Sequence, residues 1–136
     1  MPLLPPPLIR YNVGPWLNLN IGVGTELMDR SAGVGVMWNS WVARRPGRVT
    51  GLSCDAGVNI PAASPAGWTV QLWINGLVTA PVYQLVVLPP NRYGFLVANG
   101  PSYLAGARLA LVSITSAPWT IPTTDGLADL ETEDAT

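Results

Sequence analysis

Residues 68–76 read Trp-Thr-Val-Gln-Leu-Trp-Ile-Asn-Gly. Successive side chains of an extended chain point to opposite sides, so Trp68, Val70, Leu72 and Ile74 share one face and Thr69, Gln71, Trp73 and Asn75 the other. That alternation predicts a strand with one buried and one wet side. Asn75-Gly76 then stands between two apolar runs. Both residues tolerate positive φ, so the pair predicts a tight type I′ hairpin. The return strand is Leu77–Leu88, bent at Pro81, which cannot complete a ladder in a central strand. A hairpin of this kind needs further strands to bury its apolar face. Turn signals around it recur at roughly the 8–12-residue spacing of all-β domains. Arg44-Arg45-Pro46-Gly47 is a turn into a strand over Arg48–Asp55. Asn59–Gly67 is a loop, and Pro89-Pro90-Asn91 turns the chain into a strand over Arg92–Ala98. A loop framed by Asn99-Gly100-Pro101 and Ala105-Gly106 leads to a strand over Ala107–Thr115. There Ala110, Val112 and Ile114 share one face, and Leu109 and Leu111 the other. Gly33–Ala43 gives a strand starting near Val36, and Leu127–Thr132 a last short one. Only Thr25–Arg30 reads as a brief helical turn. With no βα alternation, the expected fold is all-β: an antiparallel jelly-roll sandwich of about eight strands.

Three segments differ in character. Residues 1–30 begin with Pro5, Pro6 and Pro7, which cannot lie inside a helix, and read as a Pro-rich extended arm. Residues 31–124 hold the sandwich. Residues 125–136 carry five carboxylates and no arginine. The first 124 residues hold all seven arginines against Glu26, Asp29 and Asp55. The acidic segment is expected either as a solvated tail or as a partner for arginines of a neighbouring subunit. The Arg44-Arg45-Arg48 turn is expected to be solvated, or to meet another subunit or an acidic surface. A weakly basic body without lysine lacks the dense basic stripe of a nucleic-acid binder. No apolar stretch approaches the ~20 residues of a membrane span, and the Pro-broken start lacks a basic n-region, so a cytoplasmic origin is expected.

The chain has no histidine, no lysine and one cysteine. Imidazole base catalysis, cysteine-cluster zinc sites and lysine-containing phosphate loops therefore fall away. Cys54 is expected as a small buried hydrophobe. Glu26 and Asp29 read as solvated carboxylates, and the acidic segment lacks the spacing of a calcium loop. No catalytic residue, cofactor or metal is expected, and the chain reads as a non-enzyme. Charged residues make up 11% against 49% hydrophobic, and six are tryptophans. Trp68 belongs to the core face. Trp73 lies opposite, and Trp38 and Trp41, three apart, point to opposite faces. Outward aromatics mark a contact surface.

The stretches 44–53 (Arg-Arg-Pro-Gly-Arg-Val-Thr-Gly-Leu-Ser), 67–76 (Gly-Trp-Thr-Val-Gln-Leu-Trp-Ile-Asn-Gly) and 105–112 (Ala-Gly-Ala-Arg-Leu-Ala-Leu-Val) resemble small jelly-roll domains of the trimeric C1q/TNF-like type. Similar modules occur as decoration (cement) and head-fibre proteins on tailed bacteriophage capsids. The chain departs at Ala107, where that pattern carries Asp. The resemblance covers residues 44–116 and implies a homotrimeric structural protein on the outer surface of a virion, bound to a major capsid protein. On that reading Trp16 and Leu17 anchor the arm, and Trp38, Trp41, Trp73, Tyr83, Trp119, Arg44 and Arg45 are the contact candidates. The competing expectation is a carbohydrate-binding module, with Trp38, Trp41, Trp73 and Trp119 stacking on sugar rings.

Overall fold

The structure, a computed structural model, describes residues 9–31, 37–121 and 124–135. Every regular element among them is a β-strand. In chain order these are β1 (Arg10–Asn18), β2 (Gly24–Leu27), β3 (Asp29–Ser31), β4 (Met37–Trp38), β5 (Ser40–Val42), β6 (Gly47–Asp55), β7 (Trp68–Ile74), β8 (Leu77–Val78), β9 (Gln84–Val87), β10 (Tyr93–Val97), β11 (Ser102–Tyr103), β12 (Arg108–Thr115) and β13 (Gly126–Asp134). They form two antiparallel sheets. Sheet A runs β10-β6-β13-β1-β3-β4, with β11 extending the edge beside β6. Sheet B runs β2-β12-β7-β8, with β5 beside β2 on β12 and β9 beside β8 on β7. The architecture is an antiparallel β-sandwich of the jelly-roll kind.

Among the described residues thirteen strands stand where about eight were expected: the expected arm supplies β1 to β3, the return strand divides into β8 and β9, the 99–106 loop holds β11, and two extended stretches change sheets midway. The chain passes from β2 in sheet B to β3 in sheet A through Met28 alone, and from β4 back to β5 through Asn39. Met28 is fully buried at its crossing, and its N–H still bonds the Leu111 carbonyl at 2.9 Å. This corrects the helical reading of Thr25–Arg30. Pairing of Thr25 with Ile114 and of Leu27 with Val112 imposes an extended backbone on a segment too short to hold a helix by itself.

The hairpin at 75–76 forms as its residues require. Asn75 and Gly76 have φ of 54° and 81°, and β7 pairs with β8 through Trp73↔Val78 and Ile74↔Leu77. The return strand breaks around Pro81 into β8 and β9. Between the sheets, Trp68, Val70 and Leu72 of β7 lie with Leu109 and Leu111 of β12, and with Val49, Leu52 and Leu130 of sheet A. Trp68 donates its indole N–H to the Ser113 hydroxyl at 2.7 Å, which satisfies both buried polar groups. Close backbone approach makes room for that ring: a methyl group on Gly126 would stand 2.6 Å from it.

The segment boundaries need correction. Residues 1–8 lie outside the described residues, but from Arg10 onward the expected arm belongs to the sandwich. β1 is an interior strand of sheet A, paired with β13 on one side and β3 on the other. Its polar and apolar residues, read as irregular, place Val13 and Trp16 in the core. The acidic segment is no tail either. β13 lies between β1 and β6, and Ala128, Leu130 and Thr132 point inward.

Candidate interaction surfaces

The acidic strand meets arginines within its own molecule. Glu133 keeps 2% side-chain exposure and accepts from Arg10 at 3.0 Å and from Arg48 on its other oxygen. The two guanidiniums hold its carboxyl below the usual carboxylate range. Asp134 accepts the Tyr11 hydroxyl at 2.9 Å and faces Arg45 at 3.7 Å. Burial, with that hydrogen bond, pushes Tyr11 up to about 12. Pairing of acid with arginine is thus realised within the chain for Glu133, with Arg10 of β1 and Arg48 of β6, and for Asp134, with Arg45. Arg44 and Arg45 stand exposed in the β5–β6 turn, and among the described residues Arg45 makes only that long surface pair.

The nominated aromatics divide. Trp16 is fully buried, donates to the Asn39 carbonyl at 3.0 Å and carries the Arg30 guanidinium 5.2 Å from its ring. Tyr83 is buried and donates its hydroxyl to the Ala98 carbonyl at 2.8 Å. These two are internal and cannot anchor an arm or meet a neighbour. Leu17 is half-buried opposite Leu127 on the outer side of sheet A. Trp41 is half-buried against the core, edge-on to Tyr11 and Tyr103. Trp119 is half-buried and donates to the Ile21 carbonyl at 2.9 Å. Trp38 is placed by its backbone in β4, and its side chain lies outside the described residues. Trp73 is on the outer side of sheet B, half-buried, with its N–H on the Gln71 amide oxygen at 2.7 Å. None of the described tryptophan side chains is exposed: Trp16 and Trp68 are buried, and Trp41, Trp73 and Trp119 half-buried.

Register defines a broader surface around Trp73. Leu109 and Leu111 pair with Ile74 and Leu72 on the core side, so Ala110, Val112 and Ile114 lie on the outer side beside Trp73, Gln71 and Thr69, where Ala110 and Val112 are nonetheless buried and Ile114 half-buried. The flanking strands add Leu27 and Thr25 from β2, Val42 and Ser40 from β5, Val78 from β8, and Gln84 and Val86 from β9. Leu27, Val42, Val78 and Val86 are exposed. Among the described residues Arg108, at one corner, is the single charged side chain on this face. The outer face of an antiparallel sheet ordinarily alternates into polar residues. Here both faces of β12 are apolar, a signal visible in the sequence as two interleaved apolar rows.

A second apolar surface went unnoticed among the tryptophans. On β10, the edge strand of sheet A, Tyr93, Phe95 and Val97 are 69%, 73% and 76% exposed. Asp129 and Glu131 lie inward of it on β13, across β6. Burial raises the Asp129 carboxyl above its ordinary value. Asp55, at the Tyr93 end, is held low by Arg92 at 2.8 Å. The alternation of Tyr93, Phe95 and Val97 with Gly94 and Leu96 was there to be read, but nothing in the sequence says which face of an edge strand is covered.

No family model matches the chain, and no curated protein matches it. Among solved structures, it is similar to a chain of one described as the acidic stable capsid structure of Helicobacter pylori bacteriophage KHP30, with 12% identity over 92% of this chain and 93% of that one, at a TM-score of 0.49. It is also similar to the chain in the crystal structure of FLHE, with 16% identity over 91% of this chain and 95% of that one, at a TM-score of 0.41.

Proposed function

We propose that this chain is a structural protein of a virus particle: a capsid decoration (cement) protein that forms a homotrimer and binds a major capsid protein on the outside of a bacteriophage head. The role is non-catalytic. One observation carries the assembly reading: the outer face of sheet B, four strands wide, bears a single charge at its corner and several exposed aliphatic side chains. Leu27, Val42, Val78 and Val86, exposed together on that face, are costly to leave in water and support an interface between chains. The viral setting rests on the resemblance of residues 44–116 to trimeric jelly-roll modules. The jelly-roll architecture supports that reading.

The mass of the protein by light scattering at micromolar concentration tests it. The expected value is that of a trimer. Leu27→Asp combined with Val42→Asp places two charges on the outer face of sheet B without touching the core, and is expected to give folded monomers. A monomeric wild-type protein would overturn the assembly reading. Electron microscopy of native heads mixed with the protein then tests attachment, with added density on the outer surface as the expected result.

A further inference from the structure

We propose that β10 is a second self-association site, separate from the outer face of sheet B, through which two copies join by antiparallel pairing of β10 with β10 about Phe95. The Ala56 N–H bonds the Arg92 carbonyl at 2.8 Å, and Tyr93 pairs with Asp55. Bonded positions alternate along an antiparallel ladder, so Gly94 and Leu96 bond to β6, while the N–H and C=O groups of Tyr93, Phe95 and Val97 point to the free edge. Among the described residues no strand pairs with that edge. The same three residues expose their side chains.

Exposed edges are usually blunted by a charge, a proline or a bulge. Tyr93–Val97 contains none of these, and its register with β6 is unbroken. The underside of the strand is covered: a methyl group on Gly94 would stand 3.5 Å from Leu85. What is left open is one edge and one row of side chains.

A second copy fits this edge better than a charged partner segment would. A two-fold axis at Phe95 sets Phe95 opposite Phe95 and Tyr93 opposite Val97, matching donors to acceptors in about six hydrogen bonds. The cross-strand pairs are then aromatic on aromatic and aromatic on β-branched, both favourable. No charge lies in the joined strands. Asp55, one strand further in, is already paired with Arg92. The Asp129 and Glu131 rows of the two copies lie five strand spacings apart, about 24 Å. At that separation repulsion is screened, since the Debye length is about 8 Å at physiological salt. Five residues per copy bury less than the ~1,000 Å² of a durable interface, so the contact is weak and is populated only at high protein concentration.

Cysteine cross-linking tests the register. Phe95→Cys sets two thiols opposite one another in the paired state, whereas Leu104→Cys, 79% exposed in native form, places them elsewhere. Under mild oxidation at about 100 µM, with folding checked by circular dichroism, disulfide dimers are expected to form at least about tenfold faster from Phe95→Cys. Sedimentation of the wild type at rising concentration is expected to show a species of twice the basic mass that Phe95→Asp lacks. Equal cross-linking at both positions, or none at Phe95→Cys, would overturn the proposal. So would a doubled species that persists in Phe95→Asp. The basic mass itself, trimer or monomer, reports separately on the sheet B interface.

Discussion

Replacing Trp16 by Ala separates a structural strand from a docking arm. The indole is fully buried between the sheets. Truncating a buried aromatic to Ala costs about 3–5 kcal/mol, from lost transfer energy and the cavity left behind. The Arg30 guanidinium over the ring adds roughly 0.5–2 kcal/mol. The hydrogen bond to the Asn39 carbonyl adds little, because Asn39 is exposed and water replaces the donor. The expected loss is therefore about 3.5–7 kcal/mol, a large share of the 5–15 kcal/mol that holds a typical domain together. For a chain of this size that corresponds to a fall in Tm of roughly 10–20 °C. Urea denaturation followed by far-ultraviolet circular dichroism measures it. The assay is run at several protein concentrations, because association stabilises the folded state by mass action. An internal Trp16 gives a loss that is the same at every concentration. A loss below about 1 kcal/mol, or one that vanishes as concentration falls, would refute the placement of β1 in the core.

Two further outcomes follow from the titrating groups. Glu133 has a folded pKa held below its ordinary 4.5 by Arg10 and Arg48, so its contribution is present above that value and is lost as pH falls through the depressed one. Glu133→Gln should lower Tm at pH 7 and flatten its decline in acid; Tm profiles that run parallel for the two proteins would contradict this. Burial pushes the Cys54 thiol up to about 12, so it should resist a disulfide reagent at pH 8 in the native protein and react promptly in urea.

Much of the core was legible from alternation. Trp68, Val70 and Leu72 lie inward as the pattern of 68–75 requires, Asn75-Gly76 makes its turn, and Cys54 is buried. What misled was irregularity with a tertiary cause. The stretch 10–18 shows no clean period because the ladder shifts register between Val13 and Trp16, which changes the side on which later residues fall. It therefore read as an arm. The carboxylates of 125–134 read as a solvent-loving tail because composition does not say that Glu133 will sit between two arginines from other strands. The contact surfaces were half visible. Outward placement of Trp73 followed from parity, whereas the openness of β10 depends on which strand ends the sheet, and that is settled by pairings far apart in the chain. Tryptophan count drew attention to large rings, most of which the fold uses for packing.

The two mid-strand crossings at Met28 and Asn39 give the sandwich unequal sides. On that flank the layers are stitched by continuous extended chain, like the spine of a book, so neither can slide past the other without tearing ladder bonds in both. Across the molecule β9 and β10 share no ladder among the described residues and are held by the 88–92 turn and by side chains, with Leu85 and Val87 lying over Gly94 and the Tyr83 hydroxyl on the Ala98 carbonyl. Breathing of the layers is therefore expected to begin at the β9–β10 flank, where no ladder joins them, and amide protons near Met28 to exchange later than those there.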